Sequence, residues 1–339
     1  MTTAPLTPTS NKLLIKLIAA YKTPSIGNSI WQILNTLLPY IALWILMIYA
    51  LPISFWLAFP LMVLAAGFTI RMFIIFHDCG HGAFFKSKVA SDALGIFLGI
   101  LTLTPYYRWH HAHLIHHRTS GNLDKRGTGD VWTMTVEEFK AATPGRRLFY
   151  KIYRNPYIMF GIGAPLIFLL SNRFTTRSFT WRDRFSVYFT NLGIAAMAAG
   201  IIALTDVKTY LLIQIPVTYM ASAAGVFLFY VQHQFPDVHW YRDDDWDYST
   251  VAINGASYLK LPAVLQWFSG NIGFHHIHHL SSKIPNYKLE KCYNENQAFR
   301  NVQAVTLKTA FSTIHLRLWD EASKKLITYR ELAKMAKAQ

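Results

Sequence analysis

Residues 30–70 read IWQILNTLLPYIALWILMIYALPISFWLAFPLMVLAAGFTI and contain no Asp, Glu, Lys or Arg. Two later segments, residues 185–204 and 210–231, are equally free of charge. A helix needs about 20 apolar residues to cross the hydrocarbon core of a bilayer. Buried core helices of a soluble protein are the alternative, but they seldom reach this length without a charge. The sequence therefore predicts an integral, multi-pass membrane protein.

The apolar segments pair into two predicted hairpins, at about residues 30–76 and 185–232. The chain carries a net charge of +15, and nine basic residues lie within 106–155, whereas the connectors 50–52 and 205–208 carry only Lys208. Lys and Arg are enriched in cytoplasmic loops, so the ends of both hairpins are predicted to face the cytoplasm. The basic residues flank the spans and form no stripe with interleaved aromatics, so the charge does not indicate nucleic-acid binding.

Three dense histidine groups follow the apolar segments. They read His77-Asp-Cys-Gly-His81, His113-Leu-Ile-His116-His117 and His275-His-Ile-His278-His279. Neutral imidazole is the commonest metal ligand, and side chains three or four positions apart share a helix face. Adjacent histidines point to different sides, so each His-His pair is able to serve two metals at once. The groups predict a metal site that is assembled when the chain folds.

The number of imidazoles exceeds what a single ion needs, since structural zinc takes four ligands and catalytic zinc takes three and a water. His233, at the end of the last apolar segment, adds a ninth candidate. We therefore predict two metal ions with four or five nitrogen ligands each, and we assign His110, His111 and His276 to supporting roles. The predicted ligands are His77, His81, His113, His116, His117, His233, His275, His278 and His279.

Polar residues near the histidine groups are candidates for orienting the ligands. Asp78 and Asp124, like Asp130 and Asp237, are able to accept the second ring N–H of a ligand histidine, which fixes its tautomer. Asn271 lies four residues before His275 and is able to reach a metal through water. Of these, we expect Asp78, Asp124 and Asn271 to support the metal site.

Two shorter apolar segments, residues 93–104 and 157–170, fall below the usual length of a membrane span. A single crossing by residues 93–104 would place the second histidine group on the opposite face from the first. We therefore expect both segments to be re-entrant or to lie at the membrane interface. The predicted architecture is an all-α membrane protein in which two transmembrane hairpins carry a cytoplasmic helical cap with a histidine-rich di-metal site. Its predicted parts are a cytoplasmic segment at 1–29, a main domain at 30–290 and a basic cytoplasmic segment at 291–339.

The histidine groups, together with Trp109 and Ile284-Pro-Asn-Tyr287, resemble the three histidine boxes of membrane fatty acid desaturases. The stretch TSGNLDKRGTGDVWT at residues 119–133 resembles the bacterial acyl-lipid branch of that family. The resemblance implies a non-haem di-iron, O2-dependent enzyme that removes two hydrogens from adjacent methylenes of a membrane-lipid acyl chain and leaves a cis double bond. It also implies that the nine histidines bind iron, that a separate donor such as ferredoxin supplies electrons, and that the enzyme lies in the bacterial inner membrane with its active site on the cytoplasmic side.

Two other functions are compatible with the same histidine pattern. A related histidine-box hydroxylase of alkyl chains or carotenoids would use the same kind of metal centre. A non-enzymatic metal carrier is less favoured, because carriers place polar ligands within the spans along a pathway, whereas these histidines follow the spans.

Overall fold

The computed structural model describes residues 14, 16–300, 302 and 304–338 of the chain. Within that part of the chain, four helices are long and apolar enough to cross a membrane. In chain order the α-helices are α1 (Ile26–Ala50), α2 (Phe55–His81), α3 (Lys88–Leu101), α4 (Tyr106–Thr119), α5 (Val136–Ala141), α6 (Pro144–Tyr153), α7 (Ala164–Leu169), α8 (Trp181–Leu204), α9 (Val207–His233), α10 (Tyr248–Asn254), α11 (Ala263–Phe268), α12 (His275–Leu280), α13 (Asn286–Glu295), α14 (Leu307–Thr313) and α15 (Tyr329–Ala338).

The first predicted hairpin is formed by α1 and α2, which pack against each other. Each helix begins at a serine whose side chain accepts a hydrogen bond from a backbone N–H of the first turn, Ser25 for α1 and Ser54 for α2. Such caps satisfy donors that have no partner within the helix. Helix α2 continues beyond the apolar segment as far as His81 and ends at Gly82, which has a φ of +60°. The first histidine group therefore lies on an extension of the second span.

The second predicted hairpin is formed by α8 and α9, joined by residues 205–206. Thr180 and Asp183 form a capping box at the start of α8, and the Asp206 side chain accepts from the backbone N–H of Thr209 at the start of α9. Both helices are longer than the apolar segments that predict them. Helix α9 packs against α2, and its last residue is His233. The two hairpins are thereby joined through their second helices.

The surface of the long helices is strongly apolar. Trp56 on α2 has 76% of its surface exposed, and Leu192 on α8 has 68%. In water such a contiguous apolar surface would be an aggregation hazard, whereas in a bilayer it is the surface that contacts lipid. The interior between α1, α2 and α9 is filled by fully buried side chains such as Met47, Met62 and Ile213.

Helices α3 and α4 meet at a bend of 104°. Two glycines of α3 permit this close approach, because a Cβ on Gly95 would lie 2.2 Å from the Tyr106 ring and a Cβ on Gly99 would lie 2.5 Å from the Thr104 carbonyl oxygen. The segment that we expected to be re-entrant is thus the first arm of a bent helix pair. The other short apolar segment is a π-helix at Tyr157–Gly163 followed by α7.

The residues outside the spans are mainly helical, but they also form two small sheets that the sequence analysis does not predict. Strand β1 (Tyr258–Lys260) pairs in parallel with β2 (Ala304–Thr306), and β3 (Leu318–Asp320) pairs antiparallel with β4 (Lys325–Ile327). Strands of three residues are too short to show an alternating pattern. The predicted boundary at residue 290 falls inside α13, and that division of the chain stays a prediction.

Candidate metal centre

Nine histidine rings gather into two adjacent clusters. In the first, the candidate ligand nitrogens of five imidazoles all lie within 4.8 Å of one another. In the second, His116, His233 and His279 satisfy the same limit, and His275 joins them, with its Nε2 3.0 Å from the Nε2 of His233 and 3.1 Å from that of His279. The five-histidine cluster consists of His77, His81, His113, His117 and His278, and the four-histidine cluster consists of His116, His233, His275 and His279.

Four helices deliver these rings, and each of the two hairpins contributes to one cluster. The end of α2 contributes histidines to the five-histidine cluster, and the end of α9 contributes one histidine to the four-histidine cluster. Helices α4 and α12 supply both, because adjacent histidines on a helix point in different directions. His116 and His117 accordingly lie in different clusters, and so do His278 and His279.

A shared cation explains the short distances between the ring nitrogens better than hydrogen bonds between the rings do. The Nε2 atoms of His81, His113, His117 and His278 form a chain of three contacts, each 3.1 Å long. A neutral imidazole nitrogen carries either one hydrogen or one lone pair, so it takes part in one such hydrogen bond at most. Four nitrogens therefore form at most two hydrogen bonds among themselves, whereas lone pairs that converge on a cation account for all three contacts.

The four-histidine cluster shows the same arrangement of nitrogens. Its Nε2 contacts are 3.2 Å between His116 and His233, 3.0 Å between His233 and His275, and 3.1 Å between His275 and His279. No more than two of these three contacts can be hydrogen bonds, for the same reason. The donor set of both clusters is entirely imidazole, which suits zinc, copper, iron or nickel.

Burial keeps the histidines in the form that binds metals. None of the nine has more than 9% of its surface exposed. Burial is the main cause that lowers the pKa of His275, His278 and His279 well below the usual range of imidazole, and neighbouring imidazoles lower it further. These rings are consequently neutral at pH 7, and a neutral imidazole has a free lone pair.

Two carboxylates orient rings of the clusters by contacting Nδ1, the ring nitrogen that faces away from the cluster. The Oδ1 atom of Asp78 lies 3.1 Å from Nδ1 of His77, and Oδ1 of Asp130 lies 2.5 Å from Nδ1 of His116. A carboxylate at Nδ1 keeps the ring hydrogen there and turns the Nε2 lone pair toward the cluster. Gly129, with a φ of +74°, lets the preceding loop pass close to His116, which brings Asp130 into reach.

The structure does not bring Asp124 or Asn271 to a histidine of either cluster. Asp124 accepts hydrogen bonds from the guanidinium of Arg242 at 2.5 Å and from the backbone N–H of Asp243 at 3.0 Å, so its charge is engaged at the surface. Asn271 occupies a turn with a φ of +58°. Its amide donates to the Asn286 carbonyl and accepts from Gln266, at 3.2 Å in each case.

The three remaining histidines of these runs lie outside both clusters. His111 contacts Asp183, with 3.0 Å between Nδ1 and Oδ2, and the His110 ring lies parallel to that of Tyr106 at 6.3 Å. His276 is fully buried beside Phe299, and burial lowers its pKa to about 4. The structure therefore places the three histidines outside both candidate ligand sets, and their supporting roles stay a prediction.

An apolar cavity of about 280 Å³ adjoins both clusters. His77 and His113 of the five-histidine cluster and His275 of the four-histidine cluster form part of its wall. The rest of the wall comes mainly from apolar side chains of α2, α9 and the bent helix pair, such as Phe73 and Trp109. The cavity thus gives an apolar molecule access to both clusters at once.

Comparison with known proteins agrees with this architecture. The family model described as fatty acid desaturase matches residues 54–307, which include all nine clustered histidines. A Bacillus subtilis protein named fatty acid desaturase is 47% identical over 321 residues, covering 95% of this chain and 91% of that protein.

Two further relatives are named for lipid substrates. An sn-1 oleoyl-lipid 12-desaturase of Synechocystis sp. is 28% identical over 69% of this chain and 67% of its own length. An sn-1 acyl-lipid omega-3 desaturase (ferredoxin) of Nostoc sp. is 27% identical over 78% of this chain and 74% of its own length. The family match and these relatives agree with the four membrane-capable helices and the clustered histidines. This chain is a membrane-embedded oxidoreductase that belongs to the fatty acid desaturase family.

Proposed function

We propose that this desaturase acts on acyl chains of membrane lipids, depends on O2, and introduces a cis double bond at a centre of two iron ions. The five-histidine cluster would hold one ion and the four-histidine cluster the other. With O2 as co-substrate and electrons from a separate donor, the iron pair would supply the oxidising power that unactivated methylenes require. The names of the Synechocystis and Nostoc relatives support a lipid-linked acyl chain as the substrate.

The observation that carries this proposal is the apolar cavity whose wall includes histidines of both clusters. An acyl chain offers no polar group along its methylenes, so its position must be fixed by the shape of an apolar wall. Phe73, Phe168 and Phe229 contribute to that wall. They would hold the chain beside His77, His113 and His275 and exclude water from the reacting methylenes.

Side chains next to the clusters have two further tasks. Trp109 lines the cavity and also lies parallel to the His113 ring, with 4.4 Å between centroids. It would therefore guide the substrate and fix a ligand ring at the same time. Asp78 and Asp130 would hold a proton on Nδ1 of His77 and His116, which leaves Nε2 free for the metal.

The distribution of charge supports a cytoplasmic active site in a bacterial inner membrane. The connector at residues 51–54 is uncharged, and the connector at 205–206 carries one acid, whereas nine basic residues lie within 106–155. Positively charged loops stay in the cytoplasm. A basic face beside the clusters would also suit docking of an acidic electron donor, and we propose ferredoxin, which the name of the Nostoc relative includes.

Expression in a bacterial host, followed by gas chromatography with mass spectrometry of total fatty acids, tests the function. We expect new unsaturated acyl chains from the wild type with O2, and none from His278→Ala or without O2. His315→Ala is the control, because this exposed histidine belongs to neither cluster, and it should retain activity. Hydroxylated products without alkenes would instead identify a hydroxylase.

A further inference from the structure

Asp78 has a second partner besides the cluster histidine that it contacts. Its Oδ1 atom lies beside Nδ1 of His77 at 3.1 Å, while its Oδ2 atom accepts from the backbone N–H of Asn286 at 2.7 Å and from the Asn286 side-chain amide at 2.9 Å. Asp78 and Asn286 each have only 1% of their surface exposed. Water therefore does not take the place of either donor. Two of the hydrogen bonds that hold this buried carboxylate come from Asn286.

The amide of Asn286 is itself held by the first span. Gln32 on α1 donates from Nε2 to Oδ1 of Asn286 at 2.7 Å, and its Oε1 accepts from Nδ2 of Asn286 at 3.2 Å. Gln32 is 3% exposed. The paired amides leave Asn286 a single orientation, in which Nδ2 faces both Gln32 and Asp78. A path of hydrogen bonds thus runs from α1 through Asn286 and Asp78 to His77.

The path continues along the interface between the first two helices. Thr36 donates to the Gln32 carbonyl at 2.6 Å and accepts from Nε of Arg71 at 3.2 Å. Polar groups inside a membrane-crossing region are expensive to bury. A carboxylate buried without donors costs more than a neutral group. Packing alone would favour apolar side chains at these positions, so the polar path requires a role that packing does not supply.

Tyr287, the next residue, makes contacts that lead to the same region. Its hydroxyl accepts from the backbone N–H of Ser25 at 2.9 Å and lies 3.2 Å from Oγ of Ser29. The stretch Ile284-Pro-Asn-Tyr287 therefore anchors the start of α1 through the tyrosine and reaches Asp78 through the asparagine. These contacts join residues that are more than 200 positions apart in the chain.

We infer that Asn286 is a positioning residue of the five-histidine cluster: it holds Asp78 against His77 and so fixes the direction of the His77 lone pair. Gln32 locks the Asn286 amide, which couples the first span to the metal centre. This inference rests on the proposed di-iron function. It extends the set of residues that support the centre to α1, which contributes no histidine to either cluster.

The test compares iron retention with thermal stability in purified full-length protein in detergent. Wild type, Asn286→Leu, Asn286→Asp and the exchange Asp78→Asn/Asn286→Asp are stripped of metal and loaded anaerobically with Fe(II). Iron per chain, the rate of iron loss to a chelator and the thermal midpoint are then measured. Gln214→Leu is the matched control, because Gln214 is a buried amide of α9 whose side chain, among the described residues, bonds only Thr218.

Removing a group that orients a ligand typically costs 10–100-fold in metal affinity. We expect both single variants to lose iron at least about 10-fold faster than wild type and to approach one ion per chain, whereas Gln214→Leu should behave as wild type. The exchange variant restores a carboxylate–amide pair but moves the charge away from His77. We expect it to recover the thermal midpoint and still lose iron rapidly.

Normal iron retention in Asn286→Leu with a lowered midpoint would show that Asn286 only packs, and would overturn the inference. Normal retention in the exchange variant would overturn it too, because the carboxylate at position 78 would then be dispensable. If Asn286→Leu does not fold, Asn286→Asp and the exchange variant decide the question. Wild-type protein that takes up no iron would instead overturn the di-iron proposal itself.

Discussion

The two histidine clusters differ in what surrounds them, although they share α4 and α12. Behind the five-histidine cluster lies Asp78, which is 1% exposed and held by the amide path to α1. Behind the four-histidine cluster lies Asp130, on a loop, with 18% of its side chain exposed. One cluster is therefore supported from within the membrane-crossing helices, and the other from a loop at the surface. We therefore expect the two sites to differ in rigidity, although their ligands are of the same kind.

Removing a ring that touches both clusters should have the largest effect. His117 belongs to the five-histidine cluster and stacks on His279 of the other, with 4.3 Å between centroids. We expect His117→Ala to abolish desaturation and to lower iron in both sites, whereas His233→Ala should abolish desaturation with about one ion retained in the five-histidine cluster. Fatty acid analysis and iron determination by mass spectrometry check this. Equal iron content in the two variants would contradict the expectation that His117 supports both clusters.

Neutralising the supporting carboxylates should have the next largest effect. Asp78→Asn and Asp130→Asn each remove the charge that orients one ring, at an expected cost within about 10–100-fold in metal affinity. We expect the larger loss for Asp78→Asn, because Asp78 is the more deeply buried and water is able to substitute in part for Asp130. Competition with a chelator measures both affinities. A larger loss for Asp130→Asn would reverse the comparison between the clusters.

Acidification should weaken both clusters together, because α12 supplies rings to each. Burial lowers the pKa of His275, His278 and His279 in the folded protein, so below the unfolded value of about 6.5 the unfolded chain binds more protons than the folded one. The contribution of these histidines to the free energy of unfolding of the metal-free protein is then fully present above a pH of about 6.5. It decreases on acidification, by up to about 1.4 kcal/mol per pH unit for each group.

Thermal midpoints of metal-free protein between pH 8 and pH 5 measure this effect. Iron-loaded protein is the control, since bound metal keeps its ligands deprotonated, and its midpoint should begin to fall at a lower pH. A metal-free midpoint that stays constant down to pH 5 would contradict the expectation.

The smallest effect is expected at the cysteine of the first histidine group. Cys79 is 1% exposed and packs in the apolar core with Phe76 and Met72, away from the nitrogens of the five-histidine cluster. Cys79→Ala should leave iron content unchanged and reduce the free energy of unfolding by about 1 kcal/mol, a common cost of a core substitution. Iron analysis and denaturation in detergent test both parts. Loss of iron in this variant would show that the cluster is not purely imidazole.

The sequence predicts the parts of the site that depend on local geometry. The spacing of His77 and His81 and the paired His116-His117 follow from helix periodicity, and His233 is found from its place at the end of an apolar segment. The loop at 120–135 is different, because the sequence does not distinguish Asp124 from Asp130 as the partner of a cluster histidine. Which of the two carboxylates reaches a histidine depends on the turns at Gly127 and Gly129, whose φ values are +117° and +74°.

Contacts between distant parts of the chain are also invisible to periodicity. The hydrogen bond between Asp78 and Asn286 joins positions 208 residues apart, and no local pattern in the sequence predicts it. The pairing of β1 with β2 is missed for the same reason, because α13 separates the two strands of three residues along the chain. Sequence reasoning thus predicts the spans and the histidines, and misses the polar contacts that join them.

The spread of the clustered histidines along the chain has a consequence for biogenesis. The first of these rings belongs to His77 and the last to His279, and α12 supplies members of both clusters. A ribosome therefore has to complete most of the polypeptide, and both hairpins have to enter the bilayer, before either cluster has its full set of nitrogens. Metal loading is then a late step of maturation, and a chain that terminates before His275 would lack a finished site of either kind.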